Sequence, residues 1–190
     1  MGYYIYIKRK PTYFSLMNFK ALTLAALTAT ATIIPTAAEA KNVDQGHMRL
    51  AQAAARTGVQ IKINPTACFE GDTYGWYWAA KNELVICQER RARANVETYW
   101  TEEDFDTLRH EVQHLVQDCR DGRRNGSLDA VYNEPIALAH KVLGRNGVQN
   151  VLETYSDASN HIKVMELEAF SVAAMNDPAE QVRDIQTYCF

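Results

Sequence analysis

The amino-acid sequence predicts an α+β domain in which a small antiparallel or mixed sheet accompanies several helices. Residues 59–63 alternate strictly between apolar and polar side chains, which is typical of a half-buried strand. Residues 73–79 are rich in tyrosine and tryptophan, and residues 83–87 are mostly apolar. These two segments flank the polar pair Lys81-Asn82, so we expect them to form a hairpin.

Helical periodicity predicts five helices around this sheet. Their apolar residues recur three or four positions apart, and most of the segments begin at a capping residue or proline, or end at a glycine. Residues 147–160 are expected to be a connection that is helical at most at its start. The predicted helices cover residues 43–57, residues 101–122, a segment from Glu134 or Pro135 to Gly144, residues 161–174, and a last short helix from about Pro178.

The first 40 residues have the order of a signal peptide. Basic residues come first, residues 21–38 form a run rich in Ala, Leu and Thr, and Ala38-Glu39-Ala40 fits an A-x-A cleavage site. Threonines and a proline weaken the run as a membrane span, and an uncleaved anchor is the alternative. The stretch before Met17 is long for a signal peptide, so Met17 is a candidate for the true start. We predict that residues 1–40 are removed on export, which makes the protein secreted or periplasmic.

The predicted mature chain, residues 41–190, has the size of a single domain. It carries 16 Lys and Arg against 22 Asp and Glu, a formal charge of −6. We expect no nucleic-acid partner, because a phosphate-binding protein needs a basic surface or stripe. We also expect no stable membrane span in the mature chain, and the sequence leaves the oligomeric state open.

Four cysteines lie in the mature chain. An even number in an exported protein predicts two disulfides, for which three pairings are possible. Our preferred pairing joins Cys68 to Cys87 and Cys119 to Cys189. The second bond would tie the end of one predicted helix to the C-terminus.

The helix of residues 101–122 has clear boundaries. Thr101 is a good N-cap with Asp104 three residues on, and Gly122 follows the last periodic residue. Its apolar residues form one stripe, and two histidines point roughly opposite to that stripe. The members of the stripe are Phe105, Leu108, Val112, Leu115, Val116 and Cys119.

Those histidines belong to an H-E-x-x-H motif, His110-Glu111-Val112-Gln113-His114. Residues four apart on a helix share a face, so His110 and His114 can bind one metal ion together. Glu111 is placed to act as the general base toward a water that the metal activates, which is half of a zinc hydrolase site. The alternative is that both histidines lie on a solvated polar face.

Residue Glu166 is the candidate third ligand. It lies in the middle of the apolar face of the helix of residues 161–174, where a carboxylate stays ionised only with a strong partner. A metal is a sufficient partner, and a buried Glu bonded to Arg or Tyr is the alternative. Glu168 projects to the opposite side of this helix and is expected to be solvated.

The H-E-x-x-H motif followed about fifty residues later by Glu166-x-Glu168-Ala169 resembles the gluzincin metallopeptidases, above all minimal zincins with an E-x-E-A helix. The resemblance covers about residues 59–174. It implies a zincin-like fold, a Zn²⁺ ion with His110, His114 and Glu166 as ligands, and Glu111 as the general base.

By analogy with zincins, the strand Glu83–Ile86 is expected to be an edge strand that holds the substrate by added-strand hydrogen bonds. Tyr155 is the candidate for the residue that stabilises the oxyanion, in preference to His161, whose helical phase points away from Glu166.

These features together predict an exported zinc-dependent metallopeptidase that hydrolyses a peptide or protein substrate. An alternative from another class remains open. The chain would then be a secreted, disulfide-linked interaction module whose zinc site serves only stability.

Overall fold

The chain folds into one small mixed sheet and five helices in a computed structural model that describes residues 5–8, 43–123 and 125–190. This arrangement confirms the α+β prediction. The strands are β1 (Ile5–Lys8), β2 (Gln60–Ile63), β3 (Thr73–Trp78) and β4 (Glu83–Ile86). The helices are α1 (Gln45–Arg56), α2 (Glu102–Arg120), α3 (Pro135–Thr154), α4 (Asn160–Met175) and α5 (Pro178–Tyr188).

The strand order in the sheet is β1-β3-β4-β2. The predicted hairpin is confirmed, since β3 and β4 pair antiparallel from Gly75 opposite Ile86 to Trp78 opposite Glu83. The prediction that β4 is an edge strand is wrong, because β2 pairs in parallel with its other side. A hairpin pattern is local, and it does not reveal which of its two strands a distant strand will join.

On the outer side of the hairpin, β1 pairs antiparallel with β3. Strand β1 lies in the segment that the sequence predicts to be removed as a signal peptide, and the rest of that segment lies outside the described residues. Removal of residues 1–40 stays a prediction. Within residues 43–190, β3 is therefore one edge of the sheet and β2 is the other.

Helix α2 lies at the centre of the domain. Its capping box is present as predicted: the Thr101 hydroxyl accepts from the Asp104 N–H, and the Asp104 carboxylate accepts from the Thr101 N–H. The apolar stripe of α2 packs in one core cluster with side chains of β4, among them Leu84 and Ile86. Burying each such aliphatic side chain contributes about 1.5–3 kcal/mol, so this contact fixes α2 against the sheet.

The other face of α2 packs against α4, which in turn packs against α3. Helix α3 begins at Pro135, as predicted, but it continues past Gly144 to Thr154. Gly144 has a left-handed backbone (φ 66°) that interrupts the helix, so the predicted stop is a break between two helical stretches. Across the described residues, none of the helices has the length and apolar character needed to cross a membrane.

Both preferred disulfides are confirmed. Cys68 is bonded to Cys87, and Cys119 is bonded to Cys189. The second bond joins the C-terminal turn of α2 to the residue that follows α5. It thereby ties the helix that carries the H-E-x-x-H motif to the end of the chain.

Candidate metal site

The two histidines of α2 and Glu166 of α4 converge at the contact between these helices. His110 Nε2 lies 3.3 Å from Glu166 Oε2, and His114 Nε2 lies 3.5 Å from Glu166 Oε1. The two Nε2 atoms are 3.0 Å apart. One donor atom from each residue lies within 4.8 Å of the other two, so the three side chains can hold a metal ion together.

This cluster is buried. His110 is 1 % exposed, and His114 and Glu166 are 0 % exposed. The interpretation of the histidines as a solvated polar face is therefore wrong, because α4 covers the side of α2 that faces away from the sheet. Ala169 and Ala173 of α4 are fully buried as well, and their small side chains suit the close packing of α4 in the domain.

The ionisation of the ligand groups suits a metal. Desolvation by burial lowers the pKa of His110, which favours the neutral imidazole that binds metals. Burial raises the pKa of Glu166, but positive charge on the neighbouring His114 and His110 outweighs the burial and lowers the pKa to about 2. A bound cation would supply this positive charge in place of a protonated histidine, so that the carboxylate would stay anionic beside two neutral imidazoles, which is the donor set of a catalytic zinc site.

The contact between the imidazole rings of His110 and His114 also indicates whether these residues suit a metal ion. His114 Nδ1 hydrogen-bonds Gln117 Oε1 at 2.8 Å, so His114 Nδ1 carries the ring proton and Nε2 has a lone pair. This lone pair faces His110 Nε2 and the carboxylate of Glu166 inside a buried contact. A cation bound between these atoms would accept the lone pair of His114 Nε2 and neutralise the carboxylate, so the residues present fit a metal ion.

The predicted general base Glu111 lies between α2 and the sheet. Its side chain is fully buried. The pKa of Glu111 is raised well above its ordinary value, first by desolvation and then by the negative charge of Glu166, while the backbone N–H of Tyr77 acts in the opposite direction. A Cβ atom built on Gly75 of β3 would stand 3.3 Å from Glu111 Oε1, so Glu111 lies directly against this strand.

The structure also brings Tyr155 to the cluster. Burial raises the pKa of its hydroxyl, and so do the charge of Glu166, a hydrogen bond with Glu166 and the charge of Glu111. Tyr155 therefore lies beside Glu166, and it is also the tyrosine partner that the alternative interpretation of Glu166 requires. His161 lies elsewhere, with its Nε2 hydrogen-bonded to the carbonyl oxygen of Leu128 at 2.8 Å.

The prediction that Glu168 is solvated is wrong. Glu168 is 0 % exposed, because its side of α4 is covered by α2 and by the residues that precede α3. Its Oε1 accepts from Gln113 Nε2 at 2.9 Å, from Gln117 Nε2 at 3.0 Å and from the Val131 N–H at 3.0 Å. Its Oε2 accepts from the Tyr132 N–H at 3.0 Å. Four donors compensate the burial of this carboxylate.

On the face of α2 that carries Gln113 and Gln117, Arg109 binds the C-terminal end of α4. Arg109 Nε donates to the carbonyl oxygen of Ala173 at 2.9 Å, and the Arg109 carbonyl accepts from Gln181 Nε2 of α5 at 2.7 Å. Three polar residues recur every four positions along α2, at Arg109, Gln113 and Gln117. The first two directly precede His110 and His114. This spacing is the signal that could have identified them, since it predicts a second polar face beside the histidines.

Comparison with known proteins assigns the chain to a family by its sequence. Residues 40–190 match the family described as a domain of unknown function, DUF8637, and the chain belongs to this family. The match covers the whole candidate site. No curated protein and no solved structure matches the chain.

Proposed function

We propose that this protein is an exported zinc-dependent metallopeptidase of the gluzincin type. The observation that carries the proposal is the convergence of His110, His114 and Glu166 within 4.8 Å, with Glu111 buried beside them. The H-E-x-x-H spacing gives Glu111 a place next to the metal without making it a ligand. The two disulfides support export, because such bonds persist in oxidising compartments.

Zinc is the metal that this donor set favours. Two imidazoles and one carboxylate are the protein ligands of many catalytic zinc sites, which leave one position for water or substrate. When bound, the ion supplies Lewis-acid chemistry, which makes a water molecule more acidic and polarises a carbonyl group. His110, His114 and Glu166 would hold it.

Glu111 would accept the proton of the attacking water and later deliver it to the leaving amine. Its environment suits this role, because a carboxyl group with a raised pKa holds and releases a proton closer to neutral pH. Tyr155 would donate a hydrogen bond to the oxyanion that forms on the substrate carbonyl. Its position beside Glu166 supports this role, and the high pKa of its hydroxyl keeps it protonated as a donor.

A peptide substrate fits the edge of the sheet beside Glu111. In residues 43–190 that edge is β3, not the predicted β4, and Gly75 of β3 is the residue against which Glu111 lies. The antiparallel pairing of β1 with β3 supports this proposal, since it demonstrates that the outer side of β3 accepts an extended segment.

The experiment that tests the proposal compares Glu111→Gln with the parent protein for zinc content and for cleavage of a peptide library. We expect zinc to stay bound while cleavage is lost, because the amide keeps the shape of the side chain but cannot accept the proton. Glu102→Gln is the matched control, since Glu102 lies exposed on the same helix and should keep both properties. Equal cleavage by Glu111→Gln and the parent would refute the catalytic role.

A zinc site that serves only stability is the second candidate, and the burial of the cluster favours it. A catalytic site needs access for substrate, whereas all three ligands are at most 1 % exposed. A structural zinc site, however, has four protein ligands, and the metal-binding group in the described residues has three. A parent protein that binds zinc and cleaves no member of the library would favour this second candidate.

A further inference from the structure

We infer that Gln117 is a positioning residue for the metal ligand His114, and that Glu168 holds Gln117 in this role. The inference deepens the proposed function and rests on its zinc site. Gln117 lies about one turn after His114, and Glu168 lies two positions after Glu166. Neither residue belongs to the metal-binding group.

The orientation of the Gln117 amide is fixed by its partners. Gln117 Nε2 donates to the Met165 carbonyl oxygen at 3.1 Å and to Glu168 Oε1 at 3.0 Å. Both partners are acceptors only, so the nitrogen of the amide must face them. The amide oxygen then faces His114, where it accepts the hydrogen of Nδ1 at 2.8 Å.

This hydrogen bond selects one tautomer of His114. With the proton on Nδ1, the ring presents the lone pair of Nε2 to His110 and Glu166, and it is held at the required angle. Partners of this kind in metal sites fix the ring orientation, and their loss typically weakens metal binding 10–100-fold.

Glu168 makes the arrangement rigid. Its carboxylate joins α2, α4 and the backbone of Val131 and Tyr132 through four N–H donors, all in a contact without solvent exposure. Rotation of the Gln117 amide would place its oxygen against the carboxylate of Glu168 and would remove one of the four donors of this buried charge. The site is therefore prepared for the metal before the metal binds.

Gln113 provides a matched control, because it shares Glu168 but not the histidine. Gln113 Nε2 donates to the same atom, Glu168 Oε1, at 2.9 Å, and Gln113 is as deeply buried as Gln117. Replacement by leucine removes an amide donor to Glu168 in either case and keeps a side chain of similar size. Only Gln117→Leu also removes the partner of His114 Nδ1.

The experiment measures zinc affinity by competition with a chromophoric chelator, using the full chain and the two leucine variants. We expect Gln117→Leu to raise the zinc dissociation constant about 10–100-fold and Gln113→Leu to leave it close to that of the parent. The absorption spectrum of the Co²⁺-substituted protein should change in Gln117→Leu and not in Gln113→Leu. An equal loss of affinity in both variants, or no loss in either, would overturn the inference.

A second measurement needs no variant and covers the case in which Gln117→Leu does not fold. Nitrogen-15 NMR of the metal-free parent protein reports which ring nitrogen of His114 carries the proton. We expect Nδ1, and a proton on Nε2 would overturn the inference. A parent protein that binds zinc but hydrolyses no peptide would refute the proposed hydrolase alone, because neither measurement depends on turnover.

Discussion

Glu111 lies so close to Gly75, across the interface between β3 and α2, that a side chain at position 75 would press against its carboxylate. A Cβ atom at this position would lie 2.6 Å from the Val85 carbonyl oxygen, 2.8 Å from Thr107 Cγ2 and 3.3 Å from Glu111 Oε1. The first of these atoms belongs to the backbone of the paired strand and cannot move away cheaply. Glycine is thus required where the candidate general base meets the candidate substrate edge.

Gly75→Ala should therefore damage both stability and activity. We expect a loss of about 1–3 kcal/mol in the free energy of unfolding from overpacking, and a fall in peptide cleavage of on the order of 100-fold because Glu111 is displaced. Urea unfolding and cleavage assays measure the two effects. Gly71→Ala is the control, since a Cβ atom there meets no other atom within 4 Å. Similar behaviour of the two variants would show that the contact is unimportant.

The Cys119–Cys189 disulfide should matter more to the site than the Cys68–Cys87 disulfide. The two bonds span 70 and 19 residues, so their removal should lower the free energy of unfolding by about 4 and about 3 kcal/mol, respectively. The longer bond also anchors α5, whose Gln181 binds the Arg109 carbonyl beside His110.

We expect the double variant Cys119→Ser/Cys189→Ser to lose zinc affinity as well as stability. The double variant Cys68→Ser/Cys87→Ser should lose stability and keep zinc affinity near that of the parent. Urea unfolding and chelator competition on both variants provide the measurement. A greater loss of zinc affinity in the second variant would contradict the role assigned to α5.

The stability of the metal-free protein should depend on pH through Glu111. Its folded-state pKa lies well above the ordinary value of 4.5 because of desolvation and the charge of Glu166. The folded state thus binds this proton more tightly than the unfolded state, so stability is retained below the ordinary pKa and is lost as the pH rises through the folded pKa.

The variant Glu111→Gln should not show this loss of stability at high pH, because its amide does not titrate. In the presence of a chelator, we expect Glu111→Gln to be more stable than the parent at pH 8, with the difference shrinking as the pH falls toward 4.5. Urea unfolding at a series of pH values measures the difference. A gap that stays constant, or widens in acid, would show that Glu111 is not the group responsible.

Local patterns in the sequence were sufficient to predict most of the fold. The capping residues Thr101 and Asp104, the β3–β4 hairpin and the disulfide pairing depend on neighbouring residues or on a small number of possibilities, and the structure confirms them. The parallel pairing of β2 with β4 depends on a contact between distant segments. The periodicity of a strand does not reveal which distant strand it will pair with, and for this reason the edge strand was predicted wrongly.

The candidate ligands were also predictable, because the four-residue spacing places His110 and His114 on one face of a helix and the helical phase of Glu166 places a carboxylate in the middle of an apolar face. Glu168 was not, since helical phase states only that it faces away from Glu166 and does not state what covers that side. The structure places α2 and the backbone of residues 131 and 132 there. The burial of a carboxylate is then decided by donors that come from distant parts of the sequence.

The most direct test of the central claim is the zinc content of the parent protein, Glu166→Ala and Glu153→Ala after dialysis against metal-free buffer. Glu166 provides the ligand that joins α4 to the two histidines of α2, whereas Glu153 is exposed on α3 and hydrogen-bonds Gln149. If His110, His114 and Glu166 hold one ion, the parent and Glu153→Ala should each retain about one zinc per chain, and Glu166→Ala should retain on the order of a tenth of that or less. Equal zinc content in the parent and Glu166→Ala would contradict the assignment of the metal site.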